Sequence, residues 1–160
     1  MKRIIVKIAT LVSLLFCIAV LWGYFEIWIP NRMIADSSKW DPDNGFRGIM
    51  PREKIRNACH KALKYRFGNH HVAFITLTRV GNKDSIPYLI RGLKWLELEY
   101  PNAKSSGVVV DTYGNCVGAL WQLTGMEVDW DSVTWEKWWK QTGRYLSFNE
   151  DKRQLFLPNE

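Results

Sequence analysis

Asp84-Ser85-Ile86-Pro87-Tyr88-Leu89-Ile90-Arg91-Gly92-Leu93-Lys94-Trp95-Leu96 is the stretch on which the fold turns. Ile86, Leu89, Ile90, Leu93 and Leu96 recur at spacings of three and four, so a helix gathers them on one face. Asp84 stands where a helix N-cap belongs, and Pro87 falls in the first turn, where its missing N–H costs nothing. Tyr100-Pro101-Asn102 ends this helix, and residues 104–107 read as loop.

The same period extends on both sides. Upstream, Pro51 suits a first-turn position, and Ile55, Ala58, Cys59, Ala62 and Leu63 form one apolar stripe that Gly68-Asn69 breaks. A shorter helix follows from about His70 through Val72, Ile75 and Leu77 to Val80, with Gly81 placed to end it in a left-handed turn. Downstream, Val109, Tyr113, Cys116, Ala119, Leu120 and Leu123 predict a fourth helix before Gly125. A fifth starts at Asp131-Ser132 and carries Trp135, Trp138 and Trp139 before Gly143. Residues 144–160 are read as a tail whose Tyr145, Leu146, Phe148, Leu155 and Phe156 pack back on the last helix.

The N-terminus has another character. Ile8 to Phe25 is a run of eighteen residues without a charge, preceded by Lys2, Arg3 and Lys7. As a helix it reaches roughly 27 Å, and Ile27 to Ile29 beyond Glu26 complete the hydrocarbon thickness of a bilayer. A cleaved secretory signal is the competing reading, but signal cores are shorter and end on small residues. Here Cys17-x-Ala19 lies inside the run, and Phe16 occupies the position where a lipoprotein signal has a small residue. Trp22, Tyr24 and Trp28 collect where an aromatic belt meets the headgroups. Residues 1–30 are thus expected to be a transmembrane signal-anchor, in contact with lipid over 4–29. The bases ahead of the span predict a single-pass membrane protein, N-terminus cytoplasmic and domain extracytoplasmic. Residues 31–50, with Asp41-Pro42 and Asn44-Gly45, have no period and read as a linker containing Trp40 and Phe46.

Gly81-x-x-Asp84-x-Ile86-Pro87-x-Leu89-Ile90-x-x-Leu93 resembles the turn and first helix of a HEAT-like repeat, and Cys116-x-x-Ala119-Leu120-x-x-Leu123-Thr124-Gly125 resembles its second helix. Partial units flank this centre, and the likeness covers residues 51–143. The resemblance implies an all-α fold: a short HEAT-like alpha-alpha superhelix of about five helices after one N-terminal transmembrane helix. Proteins built this way mostly bind other macromolecules on one face. The phycobilin lyases are enzymatic relatives, but nothing in this chain carries their activity over. The stacking logic is also physical, because one helix pair cannot bury its apolar faces alone.

Three constellations bear on function. Arg52, Lys54, Arg56, Lys61, Lys64 and Arg66 face a single acid, Glu53, on the first domain helix. A solvated face explains them, yet so near a membrane each base adds about 1 kcal/mol of attraction to anionic lipid. Five of the nine tryptophans fall between Trp121 and Trp139, beside Glu127, Asp129, Asp131 and Glu136. Trp135, Trp138 and Trp139 read first as a cap over the repeat core and, alternatively, as a platform for cell-envelope glycan. Cys59, His60, His70 and His71 contain ligand types that zinc prefers, but their spacing matches no zinc site and the histidines read as solvated helix ends.

Setting aside Lys2, Arg3, Lys7 and Glu26 leaves 19 bases and 15 acids in residues 31–160, too mild a surplus for nucleic-acid binding. Cys59 and Cys116, the only cysteines past the anchor, read as separate buried thiols rather than a disulfide. No nucleophile elbow, phosphate-cradling loop or C-x-x-C is present, so no catalytic, cofactor-binding or metal residue, no cofactor and no small-molecule substrate are expected. The sequence points to a non-enzymatic, membrane-anchored interaction module that presents a helical face to a protein partner.

Overall fold

The computed structural model describes residues 2–35, 51–102 and 110–156. Trp40 and Phe46, most of the expected linker, the 104–107 loop and Val109 lie outside them. The fold is all-α apart from one small hairpin: α1 (Lys2–Gly23), a π-helical turn (Tyr24–Trp28), α2 (Ile29–Ala35), α3 (Arg52–Lys64), α4 (His70–Val80), α5 (Ile86–Glu99), α6 (Val110–Thr124), α7 (Ser132–Gln141), then β1 (Ser147–Asn149) and β2 (Gln154–Phe156). Residues 7–35 form one helix long and apolar enough to cross a membrane, and the rest of the protein buries none of its most hydrophobic window.

α3 packs on α4 and α5 on α6, as helical hairpins do. α3 also lies against α5, α5 against α7, and α4 against α6, which sorts the helices into two layers, α3-α5-α7 and α4-α6. The stripes read from the sequence meet between them. Ile55, Cys59, Leu63, Leu77, Ile86, Leu89, Leu93, Cys116, Leu120 and Leu123 are all buried, each large aliphatic side chain contributing about 1.5–3 kcal/mol on leaving water. Cys59 and Cys116 are free thiols, and burial pushes both upward in pKa.

Several local expectations are corrected. The N-terminal apolar helix does not stop at Pro30. Ile29 N–H donates to the Tyr24 carbonyl five residues back, so the helix widens by one residue just ahead of Pro30. That slack accommodates a ring that would otherwise press on the preceding turn. The helix then continues to Ala35, and Ile34 is sealed in the domain core. The first five residues assigned to a linker are therefore a packed helix.

Gly81 is extended (φ −62°, ψ 156°) rather than left-handed. Its missing side chain serves a close approach, since a Cβ there would sit 2.5 Å from the Leu77 carbonyl oxygen and 2.8 Å from Leu123 Cδ1. Among the described residues the left-handed glycine is Gly125 (φ 74°), which closes α6 through Gly125 N–H to the Trp121 carbonyl at 2.8 Å. Asp84 does not cap α5. Asn82 opens a 3-10 turn (Lys83–Ser85), its side chain accepting from Ser85 Oγ at 3.2 Å while Asn82 N–H donates to Ser85 Oγ at 3.1 Å. The caps at Asn69 and Asp131 hold α4 and α7, with Val72 N–H and Thr134 N–H donating to their side chains.

The C-terminal tail is a hairpin with Phe148 opposite Leu155. Its period of two turns Leu155 into the core and leaves neighbouring Phe156 outside. Leu146 and Phe148 pack on the core, but β2 lies against α6 rather than on the last helix as expected, and Tyr145 does not pack there and is 65% exposed.

Candidate functional site

A cleft of about 840 Å³ opens between α3, which lines it from Glu53 to Lys64, and the N-terminal half of α5, with Trp139 of α7 and Arg144 also lining it. Arg56, Lys64, Lys83, Arg91 and Arg144 line it against two acids, Glu53 and Asp84. Its floor is a ring pair. His60 stacks on Tyr88 at 4.2 Å between centroids with 6° between planes, and His60 Nε2 lies 2.8 Å from Ser85 Oγ. Burial, helped by the Arg56 charge and opposed by Asp84, lowers the His60 pKa to about 4, so the imidazole is neutral at neutral pH.

Three helices build this arrangement. His60 sits on α3 one turn after Arg56, at the edge of the apolar stripe, where it is swallowed by the packing of α3 on α5. Tyr88 and Arg91 stand three residues apart on α5, the guanidinium carbon 6.0 Å from the ring centroid. Lys83 Nζ donates to the Leu146 carbonyl at 2.5 Å and ties the 3-10 turn to the chain leaving α7. A second hollow, of about 320 Å³, is lined by Glu26 and Lys61 and shares Asn57, His60, Lys64 and Tyr88 with the first. The groove therefore reaches the N-terminal apolar helix, where Lys61 Nζ pairs with Glu26 Oε1 at 2.5 Å.

The six bases expected to act as one lipid-facing patch are divided by this geometry. Lys61 and Lys64 lie at the anchor end, and Arg66 just beyond α3 pairs with Glu99 at 2.7 Å. Arg56 lines the cleft and donates to the Val80 carbonyl at 3.4 Å. Arg52 opens α3 near the C-terminal hairpin, where burial first and the Arg52 charge second lower the Arg153 pKa. Lys54 is solvated.

The tryptophans form a packed cap. Trp135 is fully buried, and Trp138 and Trp139 are half-buried against the core. Trp130 and Trp138 meet Trp135 edge-on, at 63° and 86°, and Trp138 and Trp139 tilt by 47°. No flat pair of exposed rings is left among them for a sugar to stack on. Gly143 permits the arrangement, since a Cβ there would come within 2.5 Å of the Trp138 ring.

Sequence reasoning placed three histidines at solvated helix ends, and two are buried. Besides His60, His70 is packed with its Nε2 2.7 Å from the Tyr65 carbonyl oxygen. His71 is exposed, as read, with Nδ1 2.9 Å from Thr112 Oγ1. Among the described residues no three His, Cys, Asp or Glu side chains converge as a metal site would require.

Chemically the cleft offers cations and aromatic faces. Its one histidine is neutral, with Nε2 engaged by Ser85. That composition suits the capture of carboxylates. The comparisons with known families, curated proteins and solved structures yield no match to this chain.

Proposed function

We propose that the chain is a membrane-anchored, HEAT-like docking module, non-enzymatic, whose basic cleft receives an acidic segment of a protein partner at the membrane surface. The observation that carries this reading is the gathering of five cationic side chains around one aromatic-floored cleft with only two acids among its lining residues. Clefts of one charge sign attract and orient oppositely charged partners. The stacking of the α3–α4 hairpin on α5–α6 supports the HEAT-like reading, and α7 with its tryptophans acts as the end cap. The apolar helix over residues 7–35 supports anchoring, and Lys2, Arg3 and Lys7 favour a cytoplasmic N-terminus with the domain on the opposite side. No observation favours the glycan alternative once the Trp rings are packed as a cap.

The test uses the full chain in phosphatidylcholine nanodiscs and a fluorescent glutamate-rich peptide as probe. Anisotropy should rise on binding, fall with salt, and weaken by about tenfold or more in an R91E/R144E variant, as for lost charge pairs. Binding that ignores both salt and the variant overturns the assignment.

A further inference from the structure

We propose that the turn after α3, residues 65–68, is a second membrane contact in which the rings of Tyr65 and Phe67 seat at the headgroup–acyl boundary beside Trp22. The inference rests on reading α1 as a membrane span, and is independent of what fills the cleft.

Depth is fixed by contact. Trp22 lies inside the uncharged run that ends at Phe25. The Tyr65 ring meets it edge-on at 5.5 Å between centroids, so Tyr65 shares Trp22's depth to within about one ring's width. Phe67 stacks on Tyr65 at 6.0 Å, with 8° between planes, and is 66% exposed. An uncovered phenyl is unfavourable in water, whereas the interface is where aromatic side chains settle. Lys64 Nζ sits 5.2 Å from the Tyr65 ring centroid, and Arg66 is held by Glu99. Bases thus flank the rings at the level where lipid phosphates lie. Lys61 neutralises Glu26, the acid that would otherwise repel those phosphates.

The turn is also rigidly placed. Asn69 N–H donates to Asn31 Oδ1 of α2 at 2.9 Å, and the Tyr65 carbonyl is engaged by His70. Gly68 is obligatory, because a Cβ there would lie 1.8 Å from the Ala62 carbonyl oxygen. A loop fixed to the anchor on both sides cannot leave the membrane plane without moving the anchor.

Spin-label depth in nanodiscs tests the proposal on the full chain. Cys59 and Cys116 are buried, so the native protein takes label at Cys17, which reports whether α1 lies in lipid. In a Cys17→Ser background, labels at Phe67→Cys and, as a distant control, at exposed Val133→Cys are compared by accessibility to oxygen and to a water-soluble nickel chelate. In pure phosphatidylcholine the Phe67 site should favour oxygen and the Val133 site nickel. A Phe67 label as open to nickel as the Val133 label, with Cys17 lipid-buried, overturns the proposal and leaves the anchor standing. A Cys17 label open to nickel removes the anchor and the proposal with it. Lipid exposure of Phe67 only after phosphatidylglycerol is added overturns the proposal too, because charge and not the rings would then make the contact.

Discussion

The His60 imidazole lies flat against the Tyr88 ring, 4.2 Å away, with Nε2 2.8 Å from the Ser85 hydroxyl. This stacked pair joins α3 to α5 under the cleft, and it makes folding sensitive to pH. Unfolded, the histidine takes a proton near its ordinary pKa of 6.5, while folded it resists until about 4. The unfolded state therefore binds more protons between those values, so the contribution is complete above pH 6.5 and is lost as pH falls toward 4. Thermal melts across that window should show a falling midpoint, and H60Q should start lower and slope less. An identical slope in H60Q would remove His60 as the cause.

Gly92 and Gly118 are both helical glycines, yet alanine should act oppositely at the two. At Gly92 a Cβ would sit 2.7 Å from Phe74 Cε1 and 3.0 Å from Leu63 Cδ2. The overpacking cost of about 1–3 kcal/mol exceeds the helix-propensity gain of about 1 kcal/mol, so G92A destabilises. At Gly118 nothing lies within 4 Å, and G118A should gain up to about 1 kcal/mol. Urea titrations of both variants check the sign.

Glu97 fastens α7 to α5. Its carboxylate accepts from Ser132 N–H at 3.0 and 3.2 Å and from Ser132 Oγ at 2.5 Å, at the start of a helix where negative charge is favoured. E97A should cost about 1–3 kcal/mol by leaving those donors unpaired. D131A, which removes the exposed Asp131–Thr134 cap bond, should cost about 1 kcal/mol. Chemical denaturation, read by the fluorescence of the Trp-rich cap, distinguishes the two.

Cys59 and Cys116 should resist thiol reagents in the folded protein, since both are buried and raised in pKa by that burial. In nanodiscs a water-soluble maleimide should modify neither until denaturant is added. Rapid labelling at Cys59 would contradict the packing of α3.

The helical core was legible because five apolar stripes carry the period of 3.6 in the open. Ile86, Leu89 and Leu93 declare their shared face by spacing alone, and all three are fully buried. What escaped depended on position in space. Pro30 reads as a stop, and only a widened turn, created by a hydrogen bond between Ile29 and Tyr24, lets the helix through. The strands 147–149 and 154–156 are too short to show a period of two. The cleft draws its bases from α3, the 3-10 turn, α5 and the segment after α7, so a reading along one helix grouped Arg56 with Arg52 rather than with Arg91 and Arg144. His60 looked polar and hence solvated. The signal that pointed elsewhere was its place between Cys59 and Ala62, both on the apolar stripe, opposite a tyrosine on the neighbouring helix.

Because Ile34 is locked in the core while the same rod runs back without interruption to Lys2, the anchor and the cleft share one lever. On the proposed anchoring, tilting the rod in a thinner or thicker bilayer swings the cleft through the same angle, so lipid thickness itself would set the height at which the proposed partner is met.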